Sequence, residues 1–186
     1  MDTDAKRYRD FLDGDNDALT DLIRDHKDGL LFFLNSYVHD AVVAEELMQE
    51  TFVRLYVKRP HFSGTSQFKT WLFGVGRNVA REYLRSASAH PALPLDHADM
   101  LEGTAYRPEL SAEQNESSRL LFSALSHLTP QAQQILYLTY FENLSNRETA
   151  KVMKKSVNHI AVLLHRARQD LKAELMKEGM NDEILF

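Results

Sequence analysis

Residues 62–86, FSGTSQFKTWLFGVGRNVAREYLRS, hold five aromatic and four basic side chains in a chain whose formal net charge is −5. Rings interleaved with cations suit separated nucleic-acid strands. Cations follow the phosphates, and aromatic platforms stack unpaired bases at roughly 1–3 kcal/mol each. Lys69 precedes Arg77 by eight residues, and Arg81 and Arg85 follow at steps of four. That spacing is expected to bring all four near one helix face. Trp71, Phe73 and Tyr83 accompany them, and Phe62 and Phe68 flank the preceding loop. Trp71, Leu72 and Val75 serve equally well as ordinary core. A pocket for an expelled base is therefore expected in the loop 60–67 and not on the helix.

A second basic segment lies near the other end. Residues 145–172 carry Arg147, Lys151, Lys154, Lys155, Arg166, Arg168 and Lys172 against two acids, Glu148 and Asp170. Ser145-x-x-Glu148 is the reciprocal capping pattern of a helix start. Ala150 is small enough to let another helix approach, MKKS can turn the chain, and Ser156 or Asn158 can start the next helix. This is how a helix-turn-helix reads, although helical hairpins of other kinds share the pattern. The first fifty residues are the opposite, with thirteen acids against five basic residues. Such asymmetry suits an acidic face for one partner and basic segments for nucleic acid, and also suits solvated charge faces.

Other chemistries find no support. There is no cysteine, so thiolate metal sites, cysteine nucleophiles and disulfides are excluded. The eight histidines, at 26, 39, 61, 90, 97, 127, 159 and 165, show no ligand spacing such as H-E-x-x-H. Neither a glycine-rich phosphate loop nor a nucleophile motif is present. No catalytic residue, metal or cofactor is expected, and the chain does not read as an enzyme. The polar, acidic opening is not a secretory signal, and no apolar run reaches bilayer length, so no membrane insertion and a cytoplasmic location are expected.

The elements that must position these residues are helical. Leu19, Leu22, Ile23, Leu30, Leu34, Tyr37 and Val38 recur at threes and fours, with Asp15, Asn16 or Asp17 available to cap. After a break near His39 and Asp40, Val43, Leu47, Phe52, Leu55 and Tyr56 continue the pattern until Pro60 ends it. A third helix is expected over roughly 66–85, where Gly74 and Gly76 suggest close packing or a bend. Residues 86–110 contain three of the five prolines and read as a linker. Four further helices are expected over 113–127, 130–141, 145–153 and 156–178. No alternating strand pattern stands out. The fold class is all-α: two small bundles, 1–87 and 113–186, on a flexible tether, 88–112.

At this point AEELMQETFVRLY followed by FSGTSQFKTWLFGVGRNVAREYLR resembles region 2 of the extracytoplasmic-function (ECF) sigma factors, in the sigma-70 family. LSHLTPQAQQILYLTYFENLSNRETAKVM followed by HRARQDL resembles their region 4. The resemblance implies a bacterial transcription-initiation subunit that binds core RNA polymerase and promoter DNA, with an anti-sigma factor as a further partner it allows. By position, Glu45, Glu46, Leu47, Gln49, Glu50 and Phe52 resemble the helix that docks on polymerase. Phe62, Ser63, Ser66, Lys69, Trp71, Arg77, Asn78, Arg81 and Arg85 resemble the part that reads the minus-ten element. Arg147, Lys151, Ser156, Asn158, His159, Ala161, Val162, His165, Arg166 and Arg168 fall in the module that reads the minus-thirty-five element.

The departures are specific. Family recognition helices usually carry Lys, Ser and Arg where this chain has Ala161, Val162 and Leu163. Where Leu-Gly often ends the preceding helix, Met153-Lys154 stands. Two lost cations and a hydroxyl remove side chains suited to phosphates and base edges. The apolar replacements can meet thymine methyls, or a protein surface such as an anti-sigma factor or the chain's own first bundle. A stand-alone helix-turn-helix repressor is the rival reading, but it leaves the acidic helix and aromatic loop without a task.

Overall fold

The computed structural model describes residues 2–89 and 116–178, and every regular element among them is helical. In the first module α1 spans Thr3–Leu12, α2 Asn16–Val38, α3 Ala41–Lys58 and α4 Phe68–Ala89. The second holds α5, Glu116–Ser126, and α6, Pro130–Leu136, which widens into a π-helical turn over Tyr137–Phe141. It ends with α7, Asn146–Met153, and α8, Val157–Lys177. From residue 90 the expected linker lies outside the described residues, as do the start of the 113–127 helix and the last eight residues.

Caps set most boundaries. Asp15 caps α2, Asp40 caps α3, and Thr129 caps α6 with Pro130 in its first turn. Ser145 and Glu148 form the reciprocal capping box of α7, and Ser156 caps α8. His39 adopts a left-handed conformation, φ 52°, and the chain turns there from α2 into α3.

Helix α1 is absent from the sequence reading. Its signal is short: Asp2 as cap, then Ala5, Tyr8 and Phe11 at steps of three, all buried. The Asp2 carboxylate holds two helix starts at once. Oδ1 accepts from the backbone N–H groups of Asp4 and Ala5, each at 3.1 Å, and Oδ2 accepts from Phe68 N–H at 2.6 Å. Two helix N-termini therefore meet one negative charge. Tyr8 donates its hydroxyl to the Pro60 carbonyl at 2.8 Å and packs against Phe68 and Trp71. His26, buried on α2, bonds the Asp4 carboxylate at 2.9 Å, which gives this histidine a structural partner.

The core of the first module joins Leu22, Leu30, Phe33 and Leu34 of α2 to Leu55 of α3 and Phe68, Leu72 and Phe73 of α4. Gly76 permits the α2–α4 crossing: a methyl there would lie 2.7 Å from Leu30 Cδ1. Gly74 has open space beside it, so the close-packing expectation holds for one glycine of the pair.

Both expected helical bundles are present, and they also pack against each other. Helix α2 packs on α6 and α4 packs on α7, and the buried apolar residues form one continuous cluster across both modules. Phe32, on the face of α2 turned from its own module, stacks on Tyr137 with ring centroids 4.3 Å apart and meets Phe122 edge-on at 5.9 Å. The sequence reading could not pair these rings because they lie about a hundred residues apart.

Burial raises the Tyr8 phenol to about 12, opposed by the Arg59 charge. The folded chain thus holds this proton more tightly than the unfolded chain does. The resulting stability is complete below about pH 10, where a free phenol titrates, and is lost as pH rises through about 12. Tyr8→Phe is expected to lower stability at neutral pH by about 0.5–1.5 kcal/mol through loss of the Pro60 bond. It should also flatten the decline of stability above about pH 10. Urea denaturation followed by circular dichroism across that range checks both.

Candidate nucleic-acid interface

Three surfaces were expected to bind, and each is positioned differently. On α3, Glu45, Glu46, Gln49 and Glu50 are exposed, whereas Leu47 and Phe52 are buried in the module core. The two buried residues support the exposed face of α3 from behind, so in this arrangement they do not lie on the surface where the resemblance places a docking contact. Other apolar residues of the helix, not expected at its surface, stand there instead. Val42, Val53, Tyr56 and Val57 are exposed, Val42 at 69% and Tyr56 at 54%. Positions 42, 46, 49, 53 and 57 recur at threes and fours, so they form one stripe along α3 opposite its buried face. Counting the second face of the helix in the sequence would have found it. Arg54, beside the stripe, bonds Glu50 at 2.7 Å and Glu82 of α4 at 2.6 Å. These two carboxylates raise its pKa further above the ordinary guanidinium value and tie α3 to α4.

The arginine row on α4 does not share one face. Each step of four overshoots a 3.6-residue turn by about 40°, so the row winds by about 160° between Lys69 and Arg85. Arg81, Arg85 and Asn78 are exposed. Arg77 is only 8% exposed, with Nη1 buried among core atoms. Burial pushes the neighbouring Tyr37 phenol up to about 12, against the pull of the Arg77 and Arg81 charges. Arg77 is thus a packing residue in this arrangement and not a free phosphate ligand. Lys69 is half-buried and pairs with Glu142 of the second module at 3.0 Å.

In the loop, Ser63 is exposed and its hydroxyl bonds that of Thr65 at 3.0 Å, while Ser66 is half-buried. Gly64 supplies a positive φ of 71° for the turn. Phe62 packs edge-on against Phe68 at 5.8 Å and beside Trp71 at 5.3 Å. Phe62 and Trp71 are half-buried, so part of each ring is covered by other rings. Helix α1 fixes this cluster through Tyr8 and Asp2, as described above.

On the second module, Arg147, Ser156, Asn158, His159, Ala161, Val162, His165, Arg166 and Arg168 are all exposed. Ile160, Leu164 and Ala167 bury the opposite side of α8. Asn158, Val162 and His165 recur along its solvent face, flanked by Ala161 and Arg166. Val162 is 50% exposed, and Leu163 packs partly against the core. Ala161 and Val162 therefore face solvent and not the first module. Ser156 is occupied in capping α8, accepting from His159 N–H at 3.2 Å. The Arg168 guanidinium lies over the Tyr140 ring, 5.4 Å from its centroid. Lys154 takes φ 51° at the turn after α7, a conformation in which glycine avoids the side-chain penalty. Among the described residues no group of His, Asp or Glu could hold a metal ion, and no helix is long and apolar enough to cross a membrane.

Residues 22–90 match Sigma-70 region 2, and residues 118–171 match Sigma-70 region 4. The ECF RNA polymerase sigma factor SigM of Bacillus subtilis is 35% identical over 153 residues, covering 81% of this chain and 90% of that protein. The chain belongs to the ECF sigma factors. It is accordingly a transcription-initiation factor that directs polymerase to promoters, and not an enzyme. RNA polymerase sigma factor YlaC of the same organism is 28% identical, covering 90% of this chain and 98% of its own length. The fold is also that of CnrH, solved with the cytosolic domain of CnrY, at TM-score 0.65 and 22% identity over 96% of this chain and all (100%) of that one. RpoE, solved with the anti-sigma factor NepR from Bartonella quintana, gives TM-score 0.67 and 22% identity over 87% and 98%. Helix α1 lies ahead of the region 2 match, yet it holds the loop and the start of α4.

Two arginines of α4 should separate in their effects. Arg85→Ala is expected to keep the fold and reduce the salt slope of DNA binding by about one, as for a single phosphate contact. Arg77→Ala should instead lower folding stability. Thermal melts and salt titrations of both variants check the division.

Proposed function

We propose that the first module reads the minus-ten promoter element through the loop 62–67 and the exposed part of α4, chiefly Asn78, Arg81 and Arg85. The second module engages the minus-thirty-five element through the solvent face of α8, with Arg147 and Lys151 of α7 near the backbone. The observation that carries this reading is the arrangement of α8: an exposed face of Asn158, Ala161, Val162, His165 and Arg166 on a helix-turn-helix. The acidic and apolar stripe of α3 docks on core polymerase. Carboxylates steer the encounter with a basic surface, and Val42, Val53, Tyr56 and Val57 supply the area buried on contact. The functional units correspond to residues 1–87 and 113–186, joined by 88–112, in a reducing cytoplasm.

Upstream readout is weaker than downstream readout. The recognition helix offers His165 and Arg166 as polar contacts, while Ala161 and Val162 offer only apolar contact to thymine methyls. An anti-sigma factor is the protein partner best suited to the apolar exposure on α8, since Val157, Ala161 and Val162 are all exposed there.

Run-off transcription with sigma-free core polymerase on genomic fragments tests the assignment, with start-site-specific RNA expected. Base substitutions in the downstream element should reduce that RNA more than substitutions in the upstream element; equal sensitivity would contradict the α8 reading. Glu46→Lys, Glu50→Lys is expected to weaken polymerase binding at least tenfold in a pull-down titration. Because Glu50 also bonds Arg54, Glu46→Lys alone is the cleaner variant and should shift binding in the same direction. Wild-type affinity in both would remove α3 from the docking surface.

A further inference from the structure

Helix α1 precedes the region 2 match, yet it holds both ends of the loop between α3 and α4. We infer that Asp2 and Tyr8 are positioning residues for promoter reading: they fix the shape of the loop that meets the minus-ten element, and so its selectivity among bases. The inference rests on the loop reading above; the clamp itself rests on geometry. At the start of the loop the Tyr8 hydroxyl donates to the Pro60 carbonyl at 2.8 Å. At its end Asp2 Oδ2 accepts from the Phe68 N–H at 2.6 Å. That N–H opens α4 and has no acceptor within its own helix. Between the two anchors Phe62 lies edge-on to Phe68 at 5.8 Å and beside Trp71 at 5.3 Å. Tyr8 packs against the same two rings, each centroid 5.2 Å away.

Helix α1 is itself tied down on α2. Asp4 bonds His26 at 2.9 Å, Arg7 pairs with Asp25 at 2.6 Å, and Tyr8 and Phe11 are wholly buried. Gly64, at the turn of the loop, has open space where a side chain would stand, so the tip takes its place from the anchored ends. A loop that orders only on binding gives up backbone freedom at that moment, whereas one ordered in folding does not. An unanchored loop can also reshape around a wrong base. Discrimination is a difference of affinities, so a pocket that accommodates several bases loses it even where the matched base still binds. One hydrogen bond shifts such an ordering equilibrium by about fivefold, which sets the scale of the effect.

Two variants of the full chain each remove one bond and keep the shape of the side chain. Asp2→Asn leaves one acceptor oxygen for two helix starts, and Tyr8→Phe keeps the ring that supports Trp71. Asp15→Asn is the control, because Asp15 caps α2 alone and through a single oxygen. Trp71 is the only tryptophan of the chain, so acrylamide quenching of its fluorescence reports the ring cluster directly. Run-off transcription with core polymerase then compares a matched template with one substituted in the downstream element. The ratio of the two products does not change when part of the protein is simply unfolded, and titration with core polymerase reports docking separately. In both variants, and not in the control, stronger quenching is expected together with a product ratio lowered about threefold to fivefold. Affinity for core polymerase should stay at the wild-type value, and circular dichroism confirms that the helices are intact. Unchanged quenching in both variants would overturn the clamp. Stronger quenching with an unchanged ratio would overturn its part in promoter reading, as would a loss confined to polymerase affinity. If the wild type directs no start-site-specific RNA, the positioning role falls with the promoter reading, and quenching alone decides whether the clamp stands.

Discussion

Burial of helix α2 on more than one side is the constraint on which the rest depends. Its 23 residues span about 35 Å, and α1, α3, α4 and α6 all pack against it. Leu22, Leu30, Phe33 and Leu34 face the first module, while Phe32 faces the second. A helix used this way fixes the orientation of everything around it. The direction of α3 follows from the left-handed turn at His39, and that of α4 from the close crossing at Gly76.

The binding surfaces inherit their character from this packing. Helix α3 buries one face on α2, so the opposite stripe must meet solvent or a partner. Helix α4 buries the side that includes Arg77, so only Arg81 and Arg85 of its arginine row reach solvent. Helix α1 adds nothing to the outward surface of the loop but determines where the loop sits, because Asp2 caps α4 and Tyr8 holds Pro60. Residues near the start of the chain thus control the geometry of a loop some sixty residues later. The packing of the modules also gives two cations partners: Lys69 pairs with Glu142 and Lys151 donates to the Thr65 carbonyl.

The second module keeps the framework of a helix-turn-helix, and what it presents to solvent is set separately. The capping box of Ser145 and Glu148 and the buried side of α8 preserve the helix-turn-helix. Ala161 and Val162 change only what is offered on the outside. The two can vary separately because core residues and solvent-facing residues occupy opposite faces of the same helix.

Local chemistry alone determined a great deal. Proline at 60, the caps at Asp15 and Ser145 and the threefold and fourfold spacing of leucines act within a few residues, so they could be read directly. The same is true of the quoted region 2 and region 4 motifs, which carried the family. Helix α1 was missed because ten residues give periodicity little length in which to show itself. Tertiary structure alone decided that Arg77 points inward, because burial of a charged side chain depends on which neighbours arrive. It also decided that Phe32 meets Tyr137 and that Lys69 meets Glu142. Those pairs lie about a hundred and about seventy residues apart, and only the packing of two modules brings such distant side chains within reach.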